Sequence, residues 1–306
     1  MRRQMPFRIL ALMGGGAKGV FSLGVLTEVE AVLGSPLCKH FDLIAGTSTG
    51  AIIGSLLSLG WSVNDIAAKY QERIPWVLGA RWPSTRSARL AELASDIFGH
   101  DRFDKFQTKT AIVTTNLTHS RPTVFKSYTS GAWAGSASFQ PGFGRTIGEV
   151  VTASCSAYPY FHPVALNLAG SEHELIDGGF SANDPSLFAF LDANGPLGQA
   201  IADVKLLTVG TGRFATKAPR GFSRWIRSHP GIRVFETTLQ TTAITQEFFM
   251  KATYPQLQSC RIPFSSTDFD IHTDLLETNS RLLDRMFECG RTAFRESEEV
   301  FCRVIL

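Results

Sequence analysis

The sequence predicts an α/β fold on three observations. Strand-like and helix-like segments alternate from end to end of the 306 residues, with no internal repeat or low-complexity tract. Two short apolar runs each break at a glycine-rich turn, at 14–19 and 46–50, and resume as a helical pattern. With hydrophobic residues at 44% and charged residues at 19%, the chain carries enough apolar surface to offset the entropy of ordering it. No shift in composition marks a linker, so residues 1–306 read as one domain.

The elements follow in order. Phe7 to Met13 is a continuous apolar run, read as a buried strand; Gly14 to Gly19 is a loop. Val20 to Leu33 sets Leu23, Leu26, Val29 and Leu33 on one helix face, and Gly34-Ser35-Pro36 ends it. A second unit repeats the plan, with a strand at Phe41 to Ala45, a turn, and a helix at Thr49 to Leu59. The 19 residues Leu43 to Trp61 hold no charge and approach the length of a membrane span. Four glycines, two threonines and three serines among them favour strand, turn and helix instead.

Further helices are expected at Ser62 to Leu78, Arg89 to Phe98, Ile232 to Thr253 and Asp274 to Ile305. Strands are expected at Thr110 to Thr115, Thr123 to Ser127, Val164 to Leu168, Glu174 to Ile176 and Lys205 to Val209. The connection Ser130 to Arg145, rich in Gly, Ser and Ala, and the region of Trp76 and Trp82 are candidates for a lid or a membrane contact.

A net charge of +3, from 30 Lys+Arg against 27 Asp+Glu, is too small for a general polyanion binder and argues against DNA or RNA. The balance is uneven, however. Lys105 to Gly148 and Arg213 to Arg233 contain no acidic residue, so Arg121 and Lys126 in the first stretch and Arg220, Arg224 and Arg227 in the second are candidates for phosphate or anionic-lipid contacts. Five cysteines, odd in number and without a CxxC pair, exclude a disulfide framework and a zinc site, and no other metal site is expected. The apolar run after Arg2 and Arg3 is too short for a signal-peptide core, which places the expected location in the cytoplasm.

Two loops and a carboxylate carry the chemistry. Gly46-Thr47-Ser48-Thr49-Gly50 fits G-x-S-x-G between an apolar strand and a helix, the context in which a strained turn lifts a serine hydroxyl out of a sheet. Gly14-Gly15-Gly16-Ala17-Lys18-Gly19 suits a row of main-chain donors for an oxyanion; it also satisfies G-x-G-x-x-G, the dinucleotide fingerprint. Asp42 lies at the right distance to serve that fingerprint but at the beginning of its strand, where it points to the wrong edge. None of the seven histidines stands in an obvious general-base context. Asp177, followed by Gly178 and Gly179 at the end of a short strand, is the better base candidate.

Taken together, these residues resemble the patatin-like phospholipase family. Four ordered segments carry the likeness: Phe7 to Gly19, Phe41 to Gly50, Thr152 to Pro163 and Asp177 to Pro185. Met13, Lys18 and Asp184 depart from the family's more frequent residues. The resemblance implies an α/β hydrolase-type fold whose central, mostly parallel sheet is covered by helices on both faces. It implies a Ser48–Asp177 dyad with oxyanion donors from the Gly14 to Gly19 backbone, hydrolysing membrane phospholipid esters without a cofactor. It also implies a peripheral position at the inner face of the membrane when active.

The bacterial-looking architecture is similar to effectors of antiviral defence switched on by a cyclic di- or trinucleotide. A constitutive lipase or thioesterase acting on other acyl esters stays open as an alternative, as does a homo-oligomer.

Overall fold

The computed structural model describes residues 5–130, 140–216, 230–263 and 271–306. The first strand, β1 (Phe7–Leu12), leads through the glycine loop into α1 (Gly19–Leu33). β2 (Leu43–Thr47) leads through Ser48 into α2 (Thr49–Ser58), and α3 (Val63–Leu78) and α4 (Pro83–Phe98) follow. β3 (Lys109–Asn116), β4 (Arg121–Lys126), α5 (Ile147–Ser154), β5 (Val164–Leu168) and β6 (Ser171–Asp177) make the middle of the chain.

The remainder comprises α6 (Gly179–Ala182), α7 (Ser186–Asn194), β7 (Val204–Val209), β8 (Ala215–Thr216), α8 (Pro230–Thr253), β9 (Gln258–Ile262), β10 (His272–Thr273) and α9 (Ser280–Ile305).

Eight strands form one sheet in the order β5-β6-β3-β2-β1-β7-β9, with β4 added on β3; β8 and β10 pair separately. The run from β3 to β9 is parallel, and the wing of β4, β5 and β6 is antiparallel. Strand β1 sits at the centre, buried on both faces, and so reads as an uninterrupted apolar run. Its even residues Leu10 and Leu12 join the core cluster that includes α1, α2, α3 and α9; its odd residues Phe7, Ile9 and Ala11 join the cluster with Phe190 of α7 and Met250 of α8. Helices therefore cover both faces of a sheet whose central strands are parallel, as expected.

The fork in β3 positions everything that follows. β2 runs parallel along β3 and ends with Thr47 opposite Val113; β6 runs antiparallel and ends with Asp177 opposite Thr114. The two strands thus approach each other end to end along β3, and their last residues occupy adjacent register positions. Ser48 is the next residue after β2.

Several bounds differ from expectation. The last helix begins at Ser280 rather than Asp274, because the Asn279 side chain accepts from the Arg281 and Leu282 N–H groups as its cap, while Asp274 turns back to accept from Leu276 N–H. α4 begins earlier than expected, at Pro83, a residue suited to a first helical position. Helix α7 and strands β8, β9 and β10 were not anticipated from the sequence.

Candidate active site

Ser48 occupies the turn between β2 and α2 with φ 54° and ψ −125°, a conformation a side-chain-bearing residue rarely adopts. Three bonds hold it there. Its N–H donates to Ser154 Oγ at 2.9 Å, Ser154 Oγ donates to the Val113 carbonyl at 2.7 Å, and Thr47 Oγ1 donates to the Ala182 carbonyl at 2.8 Å. Gly50 is a required glycine, since a Cβ there would run into the Leu12 carbonyl, and its absence lets the elbow lie against the end of β1.

Ser48 and Asp177 line one pocket, where the Ser48 hydroxyl favours the charged form of the Asp177 carboxyl. Asp177 is only 3% exposed, and the Gly179 N–H donates to its Oδ1 at 2.7 Å. Burial outweighs the lowering influence of Ser48 and the Gly179 N–H and pushes the carboxyl up from its ordinary 3.8 to about 6. The main chain around Asp177 is fastened to α5: Asp177 N–H donates to the Ser156 carbonyl at 3.1 Å and Gly178 N–H to the Ser154 carbonyl at 3.2 Å. One short segment, Ser154 to Ser156, thereby steadies both partners of the pair. Between them lies Cys155, whose thiol is pushed up by burial and by the Asp177 charge, so it stays protonated.

The glycine loop faces this pair with fewer free donors than the sequence reading assigned. Gly14 N–H donates to Asn183 O, Ala17 N–H to Leu275 O, Lys18 N–H to Gly15 O, and Gly19 N–H to the Ala17 and Gly16 carbonyls. Those four are committed to the fold, which corrects the expectation of a six-residue donor row. Among the described residues, the Gly15 and Gly16 N–H groups meet no protein acceptor, and both residues line the pocket with Ser48 and Asp177. Gly16 has φ +56°, with the Leu275 carbonyl where a Cβ would stand.

Its carbonyl is clamped from the far side by Thr49 Oγ1 at 2.9 Å and by the buried Tyr70 hydroxyl at 2.8 Å. Tyr70 and Ser154 are positioning residues that the sequence reading missed. Ser154 stood inside the recognised Thr152 to Pro163 segment, whereas Tyr70 carried no signal apart from its helical register.

The pocket over Ser48 encloses about 60 Å³, with apolar walls from Ile52, Ile74, Leu78, Leu90, Phe161 and Leu276. That is far below the roughly 300–1,000 Å³ of a small-molecule site, so the pocket is narrow as it stands.

Other candidate residues lie elsewhere. Arg121 and Lys126 stand at opposite ends of β4, and Lys126 Nζ is bonded to Asp192 Oδ1 at 2.7 Å beside Tyr128, whose hydroxyl donates to Asp192 Oδ2 at 2.6 Å. The two therefore form no joint phosphate clamp. Arg220, Arg224 and Arg227 lie outside the described residues, as does most of the Ser130 to Arg145 connection. Trp76 is packed, with Arg73 and Arg89 over its ring at 5.0 and 4.9 Å, while Trp82 is 62% exposed. Asp42 Oδ2 accepts from Arg8 N–H near the start of β1, at the far end of that strand from the glycine loop, which removes it from any ribose site there. Among the described residues no cluster of His, Cys, Asp or Glu could hold a metal ion, and no helix is long and apolar enough to cross a membrane.

Comparison with known proteins agrees with the resemblance seen in the sequence. The model of the patatin-like phospholipase family matches residues 10–190. A cUMP-AMP-activated phospholipase of Escherichia coli is 38% identical over 95% of this chain and 91% of its own length. A cGAMP-activated phospholipase of Pseudomonas aeruginosa is 29% identical over 72% of this chain and 68% of its own. Among solved structures, human GIVD cytosolic phospholipase A2 shares the fold with a TM-score of 0.55 at 9% identity, over 100% of this chain and 61% of that one. VipD from Legionella pneumophila does so with a TM-score of 0.52 at 12% identity, over 98% of this chain and 67% of its own. On the family match and the 38% identity across nearly its whole length, the chain belongs to the patatin-like phospholipase family.

Proposed function

We propose that the protein is a serine lipid acyl hydrolase of the phospholipase A type, acting peripherally at the inner face of a membrane, with residues 1–306 as one catalytic unit. The observation that carries this reading is the meeting of β2 and β6 at adjacent positions of β3, which brings Ser48 and the buried Asp177 to the wall of one pocket. Asp177 takes the Ser48 proton as Oγ bonds to the ester carbonyl carbon, and the Gly15 and Gly16 N–H groups receive the oxyanion. Collapse of the tetrahedral intermediate breaks the ester C–O bond, and Asp177 returns the proton to the departing lysolipid oxygen. Water then attacks the acyl-enzyme by the same route, releasing the fatty acid and restoring Ser48.

A proton affinity raised to about 6 suits Asp177 to this task, because it is a stronger base than an ordinary aspartate yet still ionised at neutral pH.

The reading extends to regulation. Relatives named as cUMP-AMP- and cGAMP-activated phospholipases, together with a pocket of about 60 Å³ that admits no acyl chain, support a resting enzyme that a cyclic nucleotide opens. No cofactor takes part in the chemistry proposed.

The test is Ser48→Ala with phospholipid vesicles and added cyclic dinucleotides. Fatty-acid release should fall by at least about a thousandfold with the circular-dichroism spectrum and thermal melt kept, and a fluorophosphonate should label the wild type alone. Wild-type rates from Ser48→Ala would refute the assignment.

A further inference from the structure

A second, larger cavity adjoins the narrow pocket over Ser48. It encloses about 340 Å³ beyond the carboxyl ends of the parallel strands β1, β7 and β9, the edge at which open α/β sheets take ligands. Its floor is main chain, Gly14-Gly15 on one side and Gly210-Thr211-Gly212 on the other, and its cationic wall is Lys18, Arg213 and Arg261. Glu247 is the one carboxylate among the lining residues described. We infer that this cavity is the phosphate-binding site for the cyclic nucleotide, and that occupancy there is transmitted to the catalytic pocket through α8.

The chemistry follows from what Arg261 already holds. Its guanidinium contacts two carboxylates, the wholly buried Asp184 and, at 3.2 Å through Nε, Glu247 of α8. Asp184 is locked, since its Oδ1 also accepts from the Ser186 N–H at 2.9 Å and its carbonyl accepts from Gln246 Nε2 at 2.8 Å. Glu247 is exchangeable, being partly exposed and already supplied with a second cation, Lys251 Nζ at 2.7 Å. Burial pushes the Glu247 carboxyl up, but the Lys251 hydrogen bond and the Arg261, Lys251 and Arg213 charges hold it below its ordinary value. That places Arg213 within electrostatic reach of the same carboxylate. A phosphodiester entering here can take the place of Glu247 on Arg261 and draw Arg213 to itself, with glycine main chain on either side that lets a phosphate come close.

The transmission needs no further part. Leu239 lies two helical turns before Glu247 on α8, and its side chain lines both this cavity and the pocket over Ser48. Gly15, Asn183 and Leu275 are likewise shared walls. Releasing Glu247 frees α8 to withdraw Leu239 from the catalytic side. A volume of about 340 Å³ is at the small end of ligand sites, which fits one nucleotide with its phosphate better than an acyl chain.

This inference rests on the proposed nucleotide regulation, and the test separates the two. Binding of cUMP-AMP and cGAMP is measured by calorimetry on full-length Ser48→Ala protein, which removes turnover from the readout, with Arg213→Ala and Glu247→Gln added singly. Vesicles of phosphatidylglycerol serve as the lipid-phosphate arm. Arg213→Ala, at an exposed position, should weaken nucleotide binding about tenfold or more, and Glu247→Gln should tighten it severalfold by freeing Arg261. Absence of binding by either nucleotide to the parent protein would refute the regulation itself. Binding that neither substitution alters would refute this cavity and leave the regulation standing. Loss of vesicle binding in Arg213→Ala, with nucleotide affinity kept, would make the cavity a lipid-headgroup site and overturn the inference.

Discussion

Replacing Asp177 by Asn separates the base from its stability cost. The carboxyl is pushed from 3.8 to about 6 by burial, so the folded protein binds that proton more tightly than the unfolded chain does. A shift of about two units corresponds to about 3 kcal/mol. The sign is fixed by linkage. Below pH about 4 both states are protonated and the favourable contribution is fully present; it is lost as pH rises toward 6, and above that the wild type bears the whole cost of a buried carboxylate.

Asn keeps an oxygen for the Gly179 N–H and carries no charge. Asp177→Asn should therefore be inactive yet more stable than wild type by up to about 3 kcal/mol at pH 8, a gap that closes toward pH 4. Urea unfolding of both proteins at pH 8, 6 and 4.5 measures it. A variant less stable than wild type at pH 8, or a gap that does not shrink on acidification, would show that burial is not what sets the Asp177 proton affinity. In the activated wild type the same value makes turnover rise about tenfold between pH 5 and 7, with its midpoint near 6.

Two further outcomes follow from the packing around the site. Ser154→Ala strips partners from the half-buried Ser48 N–H and the buried Val113 carbonyl, so it should cost about 1–3 kcal/mol in unfolding free energy and lower kcat with little change in KM. Lys126→Met leaves the Asp192 carboxylate without its cation in a largely buried place, and should cost about 3 kcal/mol in a thermal or urea melt while vesicle co-sedimentation is unchanged.

The motifs that carry chemistry were legible because each is local. A glycine loop, an elbow and an Asp-Gly-Gly turn announce themselves within a few residues, since the backbone strain they require restricts which side chains fit. What escaped depends on distant neighbours. Nothing near Lys126 in the chain shows that Asp192, 66 residues on, will hold it, and so it read as a free cation. The donors of Gly14, Ala17 and Lys18 looked available because Asn183, Leu275 and the loop's own curl are invisible in a linear reading. Strand β9 buries only Cys260 and Ile262 of its five residues, too few to announce an edge strand. The fork in β3 was hidden for the same reason: a strand's pattern tells which faces are buried, not that one edge will be divided between two partners.

That divided edge has a consequence for biogenesis. Hydroxyl and acid reach each other only when β3, made between them, has accepted one neighbour from upstream and another from downstream. A growing chain, or one cut short before position 177, has the serine without its acid. On the proposed mechanism, esterase competence is thus deferred until β2 and β6 have both paired with β3.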